Sequence, residues 1–166
     1  VTGIDRDETA IETANERLAP YVATGRFVAL KGSFADIGSM PALEGKSFGG
    51  ILADLGVSSH QLDDESRGFS FRPAAPLDMR MDTAFGDTAA EVLNTLEEDE
   101  LARIFREYGD EPRAYRLARE TVRRRANRPF ATSDDFVGAI RGAFGAKSGP
   151  SDFARLFQSL RIRVND

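Results

Sequence analysis

Three short apolar runs constrain what this chain can fold into: Val1-Thr-Gly-Ile-Asp5, Phe27-Val-Ala-Leu30 and Phe48-Gly-Gly-Ile-Leu-Ala-Asp54. Each is apolar throughout rather than alternating, as expected of strands covered on both faces. Between the first two, Ile11, Ala14 and Leu18 share one helical face, and Pro20 is expected to end that helix. Gly32 closes the second run, and a brief helix or turn over 35–43, broken by Pro41, leads to the third. Strands alternating with helical segments, without hairpin turns, predict parallel strands joined by crossovers. The expected fold class is therefore α/β.

After Gly56 the pattern changes. Residues 60–87 are rich in Asp, Ser, Gly and Pro and show no period, so they read as a long loop. From Thr88 the chain is helical. Thr88-x-x-Glu91 and Thr95-x-x-Glu98 have capping-box spacing, and Leu101, Ile104, Phe105 and Tyr108 make an apolar stripe. Ala114, Leu117, Ala118 and Val122 mark the next helix. Phe136, Ile140 and Phe144 mark another, capped by Thr132 or Ser133, and Phe153, Leu156, Phe157, Leu160 and Val164 mark the last. There is no internal repeat. The expected division is a partial nucleotide-binding core over 1–62, a connecting loop over 63–87 and a helical domain over 88–166. Val1 already reads as the inside of a strand, and the chain stops within an amphipathic helical pattern. Both ends lead to the expectation of a fragment.

Composition excludes several classes. No stretch approaches the roughly 20 apolar residues that span a bilayer, and the first residues carry no secretion pattern. With no cysteine there is no disulfide framework, thiolate metal site or thiol nucleophile, and a cytoplasmic location is expected. The net charge of −5 is unevenly spread. Residues 1–60 carry 5 basic and 8 acidic side chains, residues 61–100 carry 3 and 11, and residues 101–166 carry 14 and 8. A basic tail after an acidic middle suits a polyanionic partner; solvated helix faces are the other reading.

Candidate residues follow from position. Asp5 closes a strand just before a helix, where nucleotide-binding folds hydrogen-bond ribose hydroxyls, although a helix-capping acid has the same placement. The glycine-rich turn that would accompany it belongs about twenty residues upstream, before Val1. Phe34, in Gly32-Ser-Phe34, can lay its ring on an adenine or simply join the core. Asp54, in Asp54-Leu-Gly-Val-Ser-Ser59, ends the third run where open parallel sheets place ligands, and can hold a cofactor or an amine being methylated. His60 is the sole histidine and lacks a serine elbow, which argues against hydrolase chemistry. The acids at 63–65 and 97–100 are consecutive rather than spaced as metal ligands, so no metal is expected. Arg113, Arg116, Arg119, Arg123, Arg124, Arg125 and Arg128 crowd one helix and its exit. Arginine forks suit phosphates, and Arg113, Arg116, Arg123 and Arg124 lie off the apolar stripe.

Taken together, Gly3-Ile-Asp-Arg-Asp7, Gly32-Ser-Phe34, Asp54-Leu-Gly-Val-Ser-Ser59 with Gln61-Leu-Asp63, Arg67-Gly-Phe-Ser-Phe71 and Pro76-Leu-Asp-Met-Arg-Met-Asp82 carry a specific resemblance. So do Arg155, Phe157-Gln158, Leu160-Arg161-Ile162 and Val164-Asn165. The chain resembles, in order and over essentially its whole length, the bacterial methyltransferases that modify N4 of a cytidine in small-subunit ribosomal RNA. It departs from them around 149–154, where a His-Pro pair is usual. The resemblance implies a partial Rossmann-like methyltransferase core with an inserted all-helical domain, and S-adenosyl-L-methionine as cofactor. It assigns Asp5 to the cofactor ribose and Phe34 to the adenine, with Asp54 and Gln61 also at the cofactor. The expected partner is small-subunit ribosomal RNA or the assembled subunit, with no membrane. Either Asp54 or Ser58 would draw the proton from the cytosine amine as the methyl group transfers. These residues alone are expected to be nearly inactive. The competing readings are a non-catalytic RNA- or ribosome-binding module with a vestigial nucleotide site, and a nicotinamide-dependent dehydrogenase, since Asp5 would serve that cofactor equally.

Overall fold

The computed structural model describes residues 1–165. It is a mixed α/β structure with two compact units, Val1–Leu55 with Met81–Ala84, and Gly56–Arg80 with Phe85–Asp166.

The first unit is built on two parallel strands, β1 (Thr2–Asp5) and β2 (Val28–Lys31), joined through α1 (Glu8–Arg17) and α2 (Ala19–Ala23). The register pairs Thr2 with Val28, Gly3 with Ala29, Ile4 with Leu30 and Asp5 with Lys31. Asp7 caps α1 by accepting from the Thr9 N–H at 3.1 Å. Ile11, Ala14 and Leu18 do share a half-buried face. The expectation for Pro20 needs correcting. The first helix closes at Leu18, and Pro20 sits in the first turn of α2, where its missing N–H costs nothing.

A larger difference concerns the third apolar run. Residues 48–54 form no strand, and Ile51 and Leu52 are 82% and 94% exposed. A strand exists only through hydrogen bonds to a neighbour. The sheet among the described residues contains β1 and β2 alone. Of the buried apolar side chains among the described residues, only Leu43 belongs to this unit.

Among the described residues the second unit holds six α-helices: α3 (Ser59–Asp63), α4 (Ala89–Thr95), α5 (Glu98–Glu107), α6 (Ala114–Arg125), α7 (Ser133–Phe144) and α8 (Pro150–Asn165). Helix α5 packs on α6 and α8, and α6 packs on α4 and α7. Phe69, Leu77, Phe105, Leu117, Phe136, Ile140 and Phe157 lie at the centre, fully or almost fully buried. The rings of Phe136 and Phe157 are 5.3 Å apart, and those of Phe105 and Phe136 are 5.8 Å apart. Burying each such ring contributes about 1.5–3 kcal/mol. Thr88 and Glu91 form the expected capping box, and Asp135 caps α7 by accepting from the Thr132 N–H at 2.9 Å. Thr95 does not open α5. It is the last residue of α4 and donates its hydroxyl back to the Glu91 carbonyl at 2.7 Å, so Glu97 takes the N-cap position. In α6 the fully buried residue of the last turn is Thr121, with Val122 half-buried.

The loop after α3 is ordered by long-range bonds. Leu77 N–H donates to the Ala131 carbonyl at 3.0 Å, and Ser133 N–H to the Ala75 carbonyl at 2.8 Å. Gly68 adopts φ of 67° directly beneath the Pro76 carbonyl, leaving no room for a Cβ. No helix among the described residues is long and apolar enough to cross a membrane.

Candidate functional site

The carboxyl edge of the parallel pair gathers two of the expected residues. Asp5 ends β1, and its Oδ1 accepts the N–H of Asp7 at 2.8 Å, which turns the chain into α1. Asp5 is exposed, and this local bond uses its Oδ1. On the adjacent strand, Lys31 faces Asp5 in register, and the Gly32 N–H donates to the Asp5 carbonyl at 2.9 Å. The chain then turns at Ser33, whose hydroxyl accepts from the Ala35 N–H, and Phe34 follows. Phe34 is 62% exposed, so it is not an ordinary core residue. A bare aromatic ring on the ligand-binding edge of a parallel sheet suits a flat heterocycle.

The other expected residues are not brought to that edge by any regular element. Asp54 belongs to the first unit, in the irregular exposed segment before Gly56. Ser58 and Gln61 belong to the helical unit and cap α3 reciprocally. The Ser58 hydroxyl accepts from the Gln61 N–H at 3.2 Å, and the Gln61 side-chain oxygen accepts from the Ser58 N–H at 3.0 Å. Gln61 is buried and His60 exposed.

The arginines of α6 divide by the flank they occupy. Arg113 is exposed but tied down: its Nε contacts the buried Glu111 carboxylate at 3.1 Å, and its guanidinium lies 4.1 Å from the Phe144 ring centre. Arg123 and Arg124 share Glu120, at 2.7 and 2.6 Å. Gly138 and Gly142 of α7 leave the space that the Glu120–Arg124 pair occupies. The hydrogen bond from Arg123 holds the Glu120 carboxyl below its ordinary value, and Arg124 adds to it against a partial desolvation. Arg119 leans to Glu98 at 3.5 Å. Arg116 is exposed and makes no ion pair among the described residues. Of the four residues expected to meet RNA, Arg116 and Arg123 thus stand outward, while Arg113 and Arg124 also serve packing.

Glu111 and Lys31 escaped sequence reasoning. Glu111 is buried and accepts from Arg155 Nη2 at 2.7 Å and from the Arg113 N–H at 2.9 Å. Burial pushes its carboxyl pKa up, but the bonds from Arg155 and Arg113 outweigh that and hold it below the ordinary value. Lys31 forms ion pairs with Glu8 at 2.8 Å and Asp82 at 3.7 Å. The motifs around Phe69 and Met79 are stitched to α8, through Arg161 donating to the Phe69 carbonyl and Asn165 to the Met79 carbonyl. Burial lowers the Arg161 pKa. Asp82, Phe69, Met79, Arg155, Arg161 and Asn165 did have a signal, since each stands in a motif that carries the resemblance.

The sequence profile of the MraW methylase family matches residues 1–166. The chain belongs to this family. Among curated relatives, "Ribosomal RNA small subunit methyltransferase H" of Gemmatimonas aurantiaca is 55% identical over 166 residues, 100% of this chain and 53% of the relative. Proteins of the same name from Chlorobium phaeovibrioides and Synechocystis sp. are 47% and 48% identical, over 98% and 100% of this chain and 52% and 54% of their own lengths. The chain spans about half the length of the curated relatives it matches.

Proposed function

We propose that this chain is part of an enzyme that transfers a methyl group from S-adenosyl-L-methionine to N4 of a cytidine in small-subunit ribosomal RNA. The observation that carries the reading is that Asp5 ends one of two paired parallel strands and the exposed Phe34 follows the carboxyl end of the other. Family membership and the names of its relatives agree with it. On this reading, residues 1–62 are part of a Rossmann-like core, 63–87 connect, and 88–166 are a helical insert. The ordinary site of action is the cytoplasm, on the RNA or the assembled small subunit.

Asp5 would hold the cofactor by accepting from its ribose hydroxyls, and Phe34 would lie on its adenine. Gln61 would act indirectly, because its side-chain oxygen is committed to the α3 cap. The bound cofactor supplies a sulfonium methyl to a suitably placed nucleophile. A cytosine amine is a poor one, since its lone pair is delocalised into the ring, so alignment and proton removal are the protein's tasks. Asp54 is proposed as the proton acceptor. Ser58 is the weaker candidate, since its hydroxyl already accepts from the Gln61 N–H and a neutral hydroxyl is a poor base. Ser58 would orient the amine instead. Arg116 and Arg123, with Arg113 and Arg124 behind them, would meet RNA phosphates.

The test is cofactor titration and methyl transfer with the full-length protein. Asp5→Ala should weaken cofactor binding by roughly 1–3 kcal/mol, the range for losing a charge-assisted hydrogen bond, and leave RNA affinity unchanged. With cofactor saturating, Asp54→Ala should depress turnover far more than Asp5→Ala. A full-length protein that binds RNA but not S-adenosylmethionine would support the non-catalytic module instead. The 166 residues alone should show little activity, in keeping with a first unit whose buried apolar side chains, among the described residues, amount to Leu43.

A further inference from the structure

The specific motif Pro76-Leu-Asp-Met-Arg-Met-Asp82 is only partly accounted for by packing. Leu77 and Met79 are buried, and Asp78 pairs with Arg80 at 2.8 Å. Its final acid does something else: Asp82 belongs to the first unit and lies 3.7 Å from the Lys31 ammonium. Lys31 ends β2 as the register partner of Asp5. Neighbours in register on parallel strands project to the same face, with the strands about 4.8 Å apart. An ammonium there has an obvious partner in Asp5, and taking it would occupy the carboxylate that a ribose needs. Lys31 does not take it. Its ammonium goes to Glu8, in the first turn of α1, at 2.8 Å, and to Asp82.

We propose that Glu8 and Asp82 are positioning residues that hold the Lys31 ammonium off Asp5, so that Asp5 stays available to the ribose hydroxyls of the cofactor. The proposal rests on the cofactor reading of this edge. It explains why a lysine is tolerated beside a ligand-binding acid, and why an acid at position 82 belongs with this edge rather than with the helical core. The hydrogen bond to Glu8 pushes the Lys31 pKa above its ordinary value, and Asp82 adds in the same direction. The ammonium is therefore charged throughout the working pH range, and cannot be made harmless by losing its proton.

The two acids act in parallel, so either one alone retains much of the hold. In full-length protein, Glu8→Gln with Asp82→Asn should weaken S-adenosylmethionine binding about two- to fivefold, the size of an exposed ion pair's competition. Adding Lys31→Met to that double variant should restore affinity, and Lys31→Met alone should bind at least as tightly as wild type. A purely structural role for the acids gives no such rescue, and a misfolded double variant cannot be repaired by removing a third charge. Isothermal titration of the set decides. A double variant with wild-type affinity, a triple variant that stays weak, or a Lys31→Met that itself weakens binding overturns the proposal. Asp5→Asn separates the two levels. If it binds like wild type, the cofactor reading of this edge fails. If it is weak while the double variant is not, only the diversion of Lys31 fails.

Discussion

Replacing Glu111 by alanine should be among the most damaging single changes in the helical unit. The side chain is completely buried in the turn between α5 and α6, and it collects three donors: Arg155 Nη2 at 2.7 Å, Arg113 N–H at 2.9 Å and Arg113 Nε at 3.1 Å. Truncation leaves the part-buried Arg113 N–H without this acceptor and the Arg113 guanidinium without its counter-ion, and leaves Arg155 only the more distant Asp152 at 3.8 Å. Removing one member of a fully buried ion pair costs about 3–5 kcal/mol. Arg155 is 30% exposed and Arg113 52% exposed, so water can recover part of their solvation, and the lower end, about 3 kcal/mol, is expected. Glu111→Gln should cost less, because an amide oxygen still accepts from the Arg113 N–H. The pH dependence has a definite sign. The folded carboxyl lies below the ordinary glutamate value of 4.5, so its contribution is complete above that value and is lost as pH falls through the folded pKa. Urea unfolding followed by far-ultraviolet circular dichroism, at neutral pH and at pH values below 4.5, measures both. A Glu111→Ala variant within about 1 kcal/mol of wild type at neutral pH, or a wild-type advantage that grows on acidification, would show that Glu111 is no such anchor.

Gly68→Ala forces a side chain into a left-handed backbone and against the Pro76 carbonyl, and should cost about 2 kcal/mol or more in the same unfolding assay. Wild-type stability would mean that the loop carrying Pro76 moves freely. For the RNA reading, Arg116→Glu with Arg123→Glu should lower affinity for small-subunit RNA and flatten its salt dependence. The slope of log affinity against log salt should fall by about 0.7–0.9 for each phosphate no longer neutralised. Stability should change by less than about 1 kcal/mol for Arg116→Glu, an exposed side chain without an ion pair, whereas Arg123→Glu also sets a like charge beside the largely buried Glu120 and should cost more; an unchanged slope would make both a solvated helix face. Arg113 is unsuitable for this test because its reversal strands Glu111.

The local features of this protein were legible in its residues. Helix starts at Thr88 and Thr132, the stripe of Leu101, Ile104 and Phe105, and the parallel relation of the first two apolar runs follow from short-range spacing, which acts before any tertiary contact forms. The order of family motifs likewise pointed to the family to which the chain belongs. Features that depend on partners distant in sequence were set by the folded arrangement instead. Residues 48–54 have strand composition but no strand, because a ladder needs a neighbour. Phe34 could have been core or surface, and the fold leaves it exposed. Arg113 and Arg124 look as outward as Arg116 on a helical wheel, yet Arg113, though exposed, is tied to Glu111, and the glycines of α7 make room for Arg124. Glu111 itself sits between Asp110 and Pro112 like any surface acid, and it is a buried anchor because the fold brings Arg155, 44 residues away, to its carboxylate beside Arg113. In the same way Lys31 carries no signal in its own segment. Its role follows from which carboxylates the fold brings within reach, and electrostatic energy depends on those distances, not on separation along the chain.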